Sequence, residues 1–88
     1  MKYIELLGLH VKDKVTGFKG VVASVSFDLY GCIQAVVNPG MDKDGKLLDS
    51  QWFDVARLTI TGSKPVMPIP RFDFADKGPA EKPIFFKA

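Results

Sequence analysis

The residues able to do bond-making chemistry in this chain are few. One cysteine, Cys32, and one histidine, His10, are its sole candidates for a soft-metal ligand or a nucleophile with its base. A zinc site takes about four such ligands, so no metal is expected. Cys32 stands in a β-rich run beside Ile33 and reads as a small buried hydrophobe, and His10 reads as a surface residue at a strand start. Carboxylates are more plentiful, at Asp13, Asp28, Asp42, Asp49 and Asp54. Most of them lie in turn-like sequence, where Asp serves local hydrogen bonding rather than paired acid–base work. Asp42-Lys43-Asp44-Gly45 has the look of a calcium loop. Setting Gly45 at the sixth position puts Gly40 at the first and Gln51 at the twelfth, which removes two ligands, the bidentate one included. The stretch is therefore read as a hairpin turn. With no phosphate-binding glycine pattern and no nucleophile elbow, the expectation is a non-enzymatic chain with no catalytic residue and no cofactor.

Binding chemistry is better represented. In Trp52-Phe53-Asp54, strand alternation sends the two rings to opposite faces, so one is core and the other lies at least partly outside. An exposed Trp52, with Tyr30 and Arg57 near it, would make a stacking or peptide-docking platform. If the ligand were instead a small anion such as a nucleotide, Lys19 would have to converge with Trp52, Tyr30 and Arg57.

These side chains need strands to position them, and the pattern from His10 onward has a period of two. Val11 to Val15 is a short strand with Val11 and Val15 in phase, and Thr16 to Gly20 is a loop. Val21 to Phe27 is the clearest strand, with Val21, Ala23, Val25 and Phe27 on its core face. Asp28 to Gly31 is a tight turn. The following strand, Cys32 to Val37, sets Ile33, Ala35 and Val37 on one face, and the two should pair as a hairpin. Asn38-Pro39-Gly40 breaks that strand, and Asp44-Gly45 supplies the turn pair favoured at hairpin tips. Gln51 to Asp54 is a brief strand, Val55 to Arg57 is short enough for one 3₁₀ turn, and Leu58 to Thr61 closes the series. Tyr3 to Leu7 is room for one helical turn before Gly8. Five short strands in so few residues predict an all-β fold, a small SH3-like barrel filled by side chains, over residues 1–62.

Residues 63–88 are different in kind. They hold five of the six prolines, which cannot serve a central strand, so an extended Pro/Phe-rich C-terminal tail is expected. The tail also carries Phe72, Phe74, Phe85 and Phe86. Leaving these rings in water would invite aggregation, so the tail should dock on a neighbouring protomer, on its own barrel or on a partner.

Composition sets the outer bounds. The chain is 47% hydrophobic and 25% charged, which places it among globular sequences. A chain this short buries only roughly 60% of its unfolded surface, so a homo-oligomer or a partner would help it. One cysteine excludes an intramolecular disulfide and fits a reducing compartment. Neither a signal-peptide core nor an apolar run of about 20 residues is visible, so neither export nor a membrane is expected. Residues 1–62 carry seven basic and seven acidic side chains, and the tail five and three. That even balance gives the body no electrostatic footprint for nucleic acid.

Taken together, Val11-Lys12-Asp13-Lys14-Val15-Thr16-Gly17-Phe18-Lys19-Gly20, Leu29-Tyr30-Gly31-Cys32-Ile33-Gln34, and Trp52-Phe53-Asp54 with Arg57-Leu58 resemble a family of small proteins encoded by tailed bacteriophages and prophages. The resemblance covers about residues 8–61. It implies an SH3-like barrel of unassigned function, working in the host cytoplasm or in the virion. The expectation is a phage-encoded binding module that contacts itself or another phage or host protein, as an assembly component or an inhibitor. The alternative is an oligomeric sponge that sequesters a nucleotide signal of host defence.

Overall fold

Period-two alternation becomes five strands in the computed structural model, which describes residues 2–72. They are β1 (His10–Asp13), β2 (Lys19–Phe27), β3 (Ile33–Asn38), β4 (Gln51–Asp54) and β5 (Leu58–Ile60). Two single 3₁₀ turns, η1 (Tyr3–Leu6) and η2 (Val55–Arg57), complete the ordered elements. The strands form one antiparallel sheet in the order β4-β3-β2-β1-β5. No ladder joins β4 to β5, so backbone hydrogen bonds do not close the sheet among the described residues. These two edge strands are nevertheless separated in sequence only by η2. A link that short holds Asp54 and Leu58 within about 14 Å. The edges of a flat five-stranded sheet would lie about 19 Å apart, so the sheet must curl.

The concave side is filled by Leu6, Leu9, Val11, Val22, Ala35, Val37 and Phe53, all buried, with Phe18, Val25, Val55 and Leu58 packed against them. As alternation requires, Ala35 and Val37 point inward on β3, and on β4 Phe53 is core while Trp52 faces out.

On β2 the expected phase is corrected. Val22 is fully buried, whereas Val21 is half-buried and Ala23 exposed. Val22 pairs with Val37 and Ser24 with Val36, which leaves Ala23 as the extra residue of a bulge. One unpaired residue reverses the alternation beyond it, so Val25, opposite Ala35, faces the core again. β2 also begins earlier than expected, because Lys19 and Gly20 already pair with β1. Gly20 permits a close crossing: a Cβ there would sit 2.3 Å from the Asn38 carbonyl oxygen. The predicted partner of Val11, Val15, lies instead in the β1–β2 turn and is exposed. Asp13 takes the inward position, since its carboxylate stops β1 by bonding the turn that follows.

Past β5 the described chain has no further strand or helix. The Thr61 amide donates to the His10 carbonyl at 2.8 Å, and the Val66 amide donates to the Gly8 carbonyl at 2.9 Å. Gly8 has φ +85, and a Cβ on it would come within 3.2 Å of Pro65. That bare position lets the start of the tail lie against its own domain. Phe72 is exposed at the end of the described chain, and Phe74, Phe85 and Phe86 lie outside it.

Candidate protein-docking surface

Arg57, one of the four predicted binding residues, is already engaged. Its Nε and Nη2 donate to the two carboxylate oxygens of Asp13 at 2.8 and 2.6 Å. The same carboxylate accepts the Thr16 amide at 2.9 Å and the Thr16 hydroxyl at 2.5 Å. Asp13 has no exposed surface, while about 39% of the Arg57 side chain reaches solvent. The guanidinium also lies 5.1 Å from the centre of the Phe53 ring, which in turn packs on Phe18 at 5.3 Å. The Arg57 guanidinium, and secondarily the Thr16 hydrogen bonds, hold the Asp13 carboxyl far below the usual carboxylate range despite its burial. This group joins β1, η2 and β4 in one network and serves the fold.

The β2–β3 turn has the opposite character. Phe27, Leu29 and Tyr30 are 62, 89 and 86% exposed. They are apolar residues in and beside a turn where polar side chains are the norm. Their backbone is nonetheless well held. The Asp28 carboxylate accepts the Tyr30 amide at 2.9 Å and the Cys32 amide at 3.0 Å, and the Asp28 amide donates to the Cys32 carbonyl at 3.1 Å. The Cys32 amide, followed by those of Tyr30 and Gly31, pulls the Asp28 carboxyl below its ordinary value. Tyr3 of η1 stands edge-on to Phe27, with ring centroids 6.4 Å apart. The result is a braced knob of apolar side chains projecting into water.

Cys32 belongs to this turn and is exposed, which corrects its reading as a buried small hydrophobe. β3 starts one residue later, because the Cys32 amide is spent on Asp28 rather than on a ladder. The Asp28 charge, then burial, raises the thiol's pKa and keeps it protonated.

The other two predicted residues lie elsewhere. Trp52, 56% exposed, sits on the convex face opposite Val36, three residues along β3 from Ile33. Lys19 stands at the far end of β2, opposite Lys12 and about 25 Å along the strand from Phe27. Within one chain Lys19, Tyr30, Trp52 and Arg57 thus do not meet in one site. Sequence reasoning found Tyr30 and passed over Leu29 and Tyr3; its placing of Phe27 on the core face of β2 is corrected, since the ring lies at the strand's end and is exposed. The signal was present in Phe27-Asp28-Leu29-Tyr30-Gly31, where a turn-forming Asp is flanked by bulky apolar residues.

Comparison with protein-family models, with curated proteins and with solved structures finds no match for this chain. Among the described residues no helix is long and apolar enough to cross a membrane. The functional reading therefore stands on the geometry of the turn and on the sequence.

Proposed function

We propose that the protein is a non-enzymatic interaction module that docks on protein surfaces, its own copies included, through the β2–β3 turn. The observation that carries this reading is the high exposure of Phe27, Leu29 and Tyr30 on a turn whose backbone the Asp28 carboxylate holds by two hydrogen bonds. Large apolar side chains on a preorganised turn lose little conformational freedom when they dock, which is how binding anchors gain affinity. The same side chains in water are a liability unless covered.

The scaffold in this proposal is an SH3-like barrel. Supporting it are the strand order and the short η2 link between the two edge strands, which the clasp of Arg57 onto Asp13 of the adjacent β1 holds in place. The resemblance of residues 8–61 to small phage proteins supports a phage origin, with work in the host cytoplasm or the virion. The partner is then a second copy or another phage or host protein.

Light scattering of the full chain, set against a Leu29→Ser/Tyr30→Ser variant, tests the docking surface. The expected result is a mass above that of a monomer, reduced in the variant. An unsubstituted chain that stays monomeric to millimolar concentration, or a variant of unchanged mass, removes self-association through this turn.

A further inference from the structure

A groove of about 340 Å³ runs beside Gly8, on a part of the molecule that the docking turn does not use. Leu7, Val22 and Ala23 lie along one side, and Val66, Ile69 and Phe72 along the other. The second side is an irregular stretch in which Pro65, Pro68 and Pro70 restrict the backbone, pinned where the Val66 amide meets the Gly8 carbonyl. The groove is thus formed before anything enters it, and its apolar rim at Val66 and Phe72 faces water.

We propose that this groove is an intramolecular docking site for Ile84-Phe85-Phe86 of the same chain. The described chain ends at Phe72, on the rim itself. After Phe74, residues 75–83 carry Asp76, Lys77, Glu81 and Lys82, with no large apolar side chain, and include the turn dipeptide Gly78-Pro79. Apolar character then resumes with one aliphatic and two aromatic side chains in a row. Polar linker, reversal and apolar triplet are the order a returning strap requires. Eleven residues, 73–83, reach at most about 36 Å from the end of the described chain, ample to return over a groove that begins where they begin. Tethering also sets the local concentration of the triplet near millimolar, so a second copy at micromolar concentration competes poorly for the same space. The linker charges stay in water while the three apolar side chains complete the apolar lining.

Nuclear Overhauser spectra of the full chain test this directly. The expected result is contact between the Phe85 and Phe86 rings and the Val22 and Ala23 methyl groups. It should persist in a uniformly labelled sample and be absent from an isotope-filtered experiment on mixed labelled and unlabelled protein. Filtered contacts would overturn the proposal in favour of exchange between copies, and no contact from residues 84–86 to the groove would overturn it outright. In the full-length Phe85→Ser/Phe86→Ser variant, the Val22 and Ala23 methyl resonances should move and binding of an apolar dye should rise severalfold. Unchanged resonances in that variant count against the strap. The Leu29→Ser/Tyr30→Ser variant should leave those methyl resonances in place, so failure of the strap and failure of the docking turn read out separately.

Discussion

Two aspartates stand at opposite ends of β2 and do the same local job in opposite settings. Asp13 bonds the turn that leads into the strand, and Asp28 bonds the turn that leads out of it. Each carboxylate accepts nearby backbone amides, and each is held below its ordinary pKa. Asp13 is buried and its main partner is the Arg57 guanidinium, from 44 residues further along the chain. The main partner of Asp28 is an amide four residues away, and its turn carries apolar side chains into solvent. A local device becomes a tertiary clasp when a cation and burial are added to it. Without them it shapes a loop and leaves that loop free to present something.

Removing the clasp gives the largest expected effect. Asp13→Asn keeps the shape of the side chain but strands the Arg57 guanidinium against Phe53. Losing one member of such a pair is strongly destabilising. A drop in thermal midpoint on the order of 10 °C is expected by calorimetry for a domain this small. Asp28→Asn should lower the midpoint by only a few degrees. Equal losses in the two variants would erase the distinction between clasp and loop. The cycle of Asp13→Asn, Arg57→Met and their double variant sharpens it, because two residues that act as a pair must show non-additive losses.

Acid separates the same two groups without mutation. Both carboxyls have folded pKa values below their unfolded values, so each contributes stability that is complete above about pH 4 and is lost as the pH falls through the folded value. The lowering is large at Asp13, and its loss should therefore extend well below pH 3. A thermal midpoint followed from pH 6 to pH 2 should decline in the unsubstituted chain. It should be distinctly flatter in Asp13→Asn and nearly unaltered in slope in Asp28→Asn. A decline as steep in Asp13→Asn as in the parent would mean that other carboxylates govern acid unfolding.

The contrast also explains which parts of the molecule could be seen in the sequence. Period-two alternation set Ala35 and Val37 together on one face of β3 and split Trp52 from Phe53 on β4, without saying which ring was core, and the brevity of Val55–Arg57 marked the 3₁₀ turn between the edge strands. These features are local, and a local pattern reports them. On β2 the pattern misled, because a single bulged residue at Ala23 reverses the phase and nothing in Val21-Val22-Ala23-Ser24 marks the insertion. Arg57 was read as part of a binding platform with Trp52 and Tyr30, and its role as the partner of Asp13 was not legible, since no periodicity links positions 44 apart. Cys32 was misplaced for a related reason. Its β-rich surroundings suggest a strand, and the demand of the Asp28 carboxylate for an amide takes it out of one.

The smallest expected effect concerns that thiol, and it tests whether the Asp28 turn acts on its neighbours through charge as well as shape. The Asp28 carboxylate is the main reason the Cys32 pKa is raised, and the Asp54 carboxylate adds a minor contribution. Because the thiolate is the reactive form, an exposed but protonated Cys32 should alkylate slowly near neutral pH. Asp28→Asn removes the charge and should raise the alkylation rate severalfold, alongside its loss of only a few degrees in thermal midpoint. A looser turn could also speed the reaction by exposing the sulfur, and the pH profile tells the two causes apart. Relief of the charge moves the midpoint of the rate profile to lower pH at an unchanged plateau, whereas greater exposure raises the plateau at an unchanged midpoint. Asp13→Asn should do neither, since its carboxylate serves the other end of β2. If Asp13→Asn shifted the Cys32 profile as much as Asp28→Asn does, the two ends of β2 would be coupled, and the separation of a load-carrying end from a presenting end would fail.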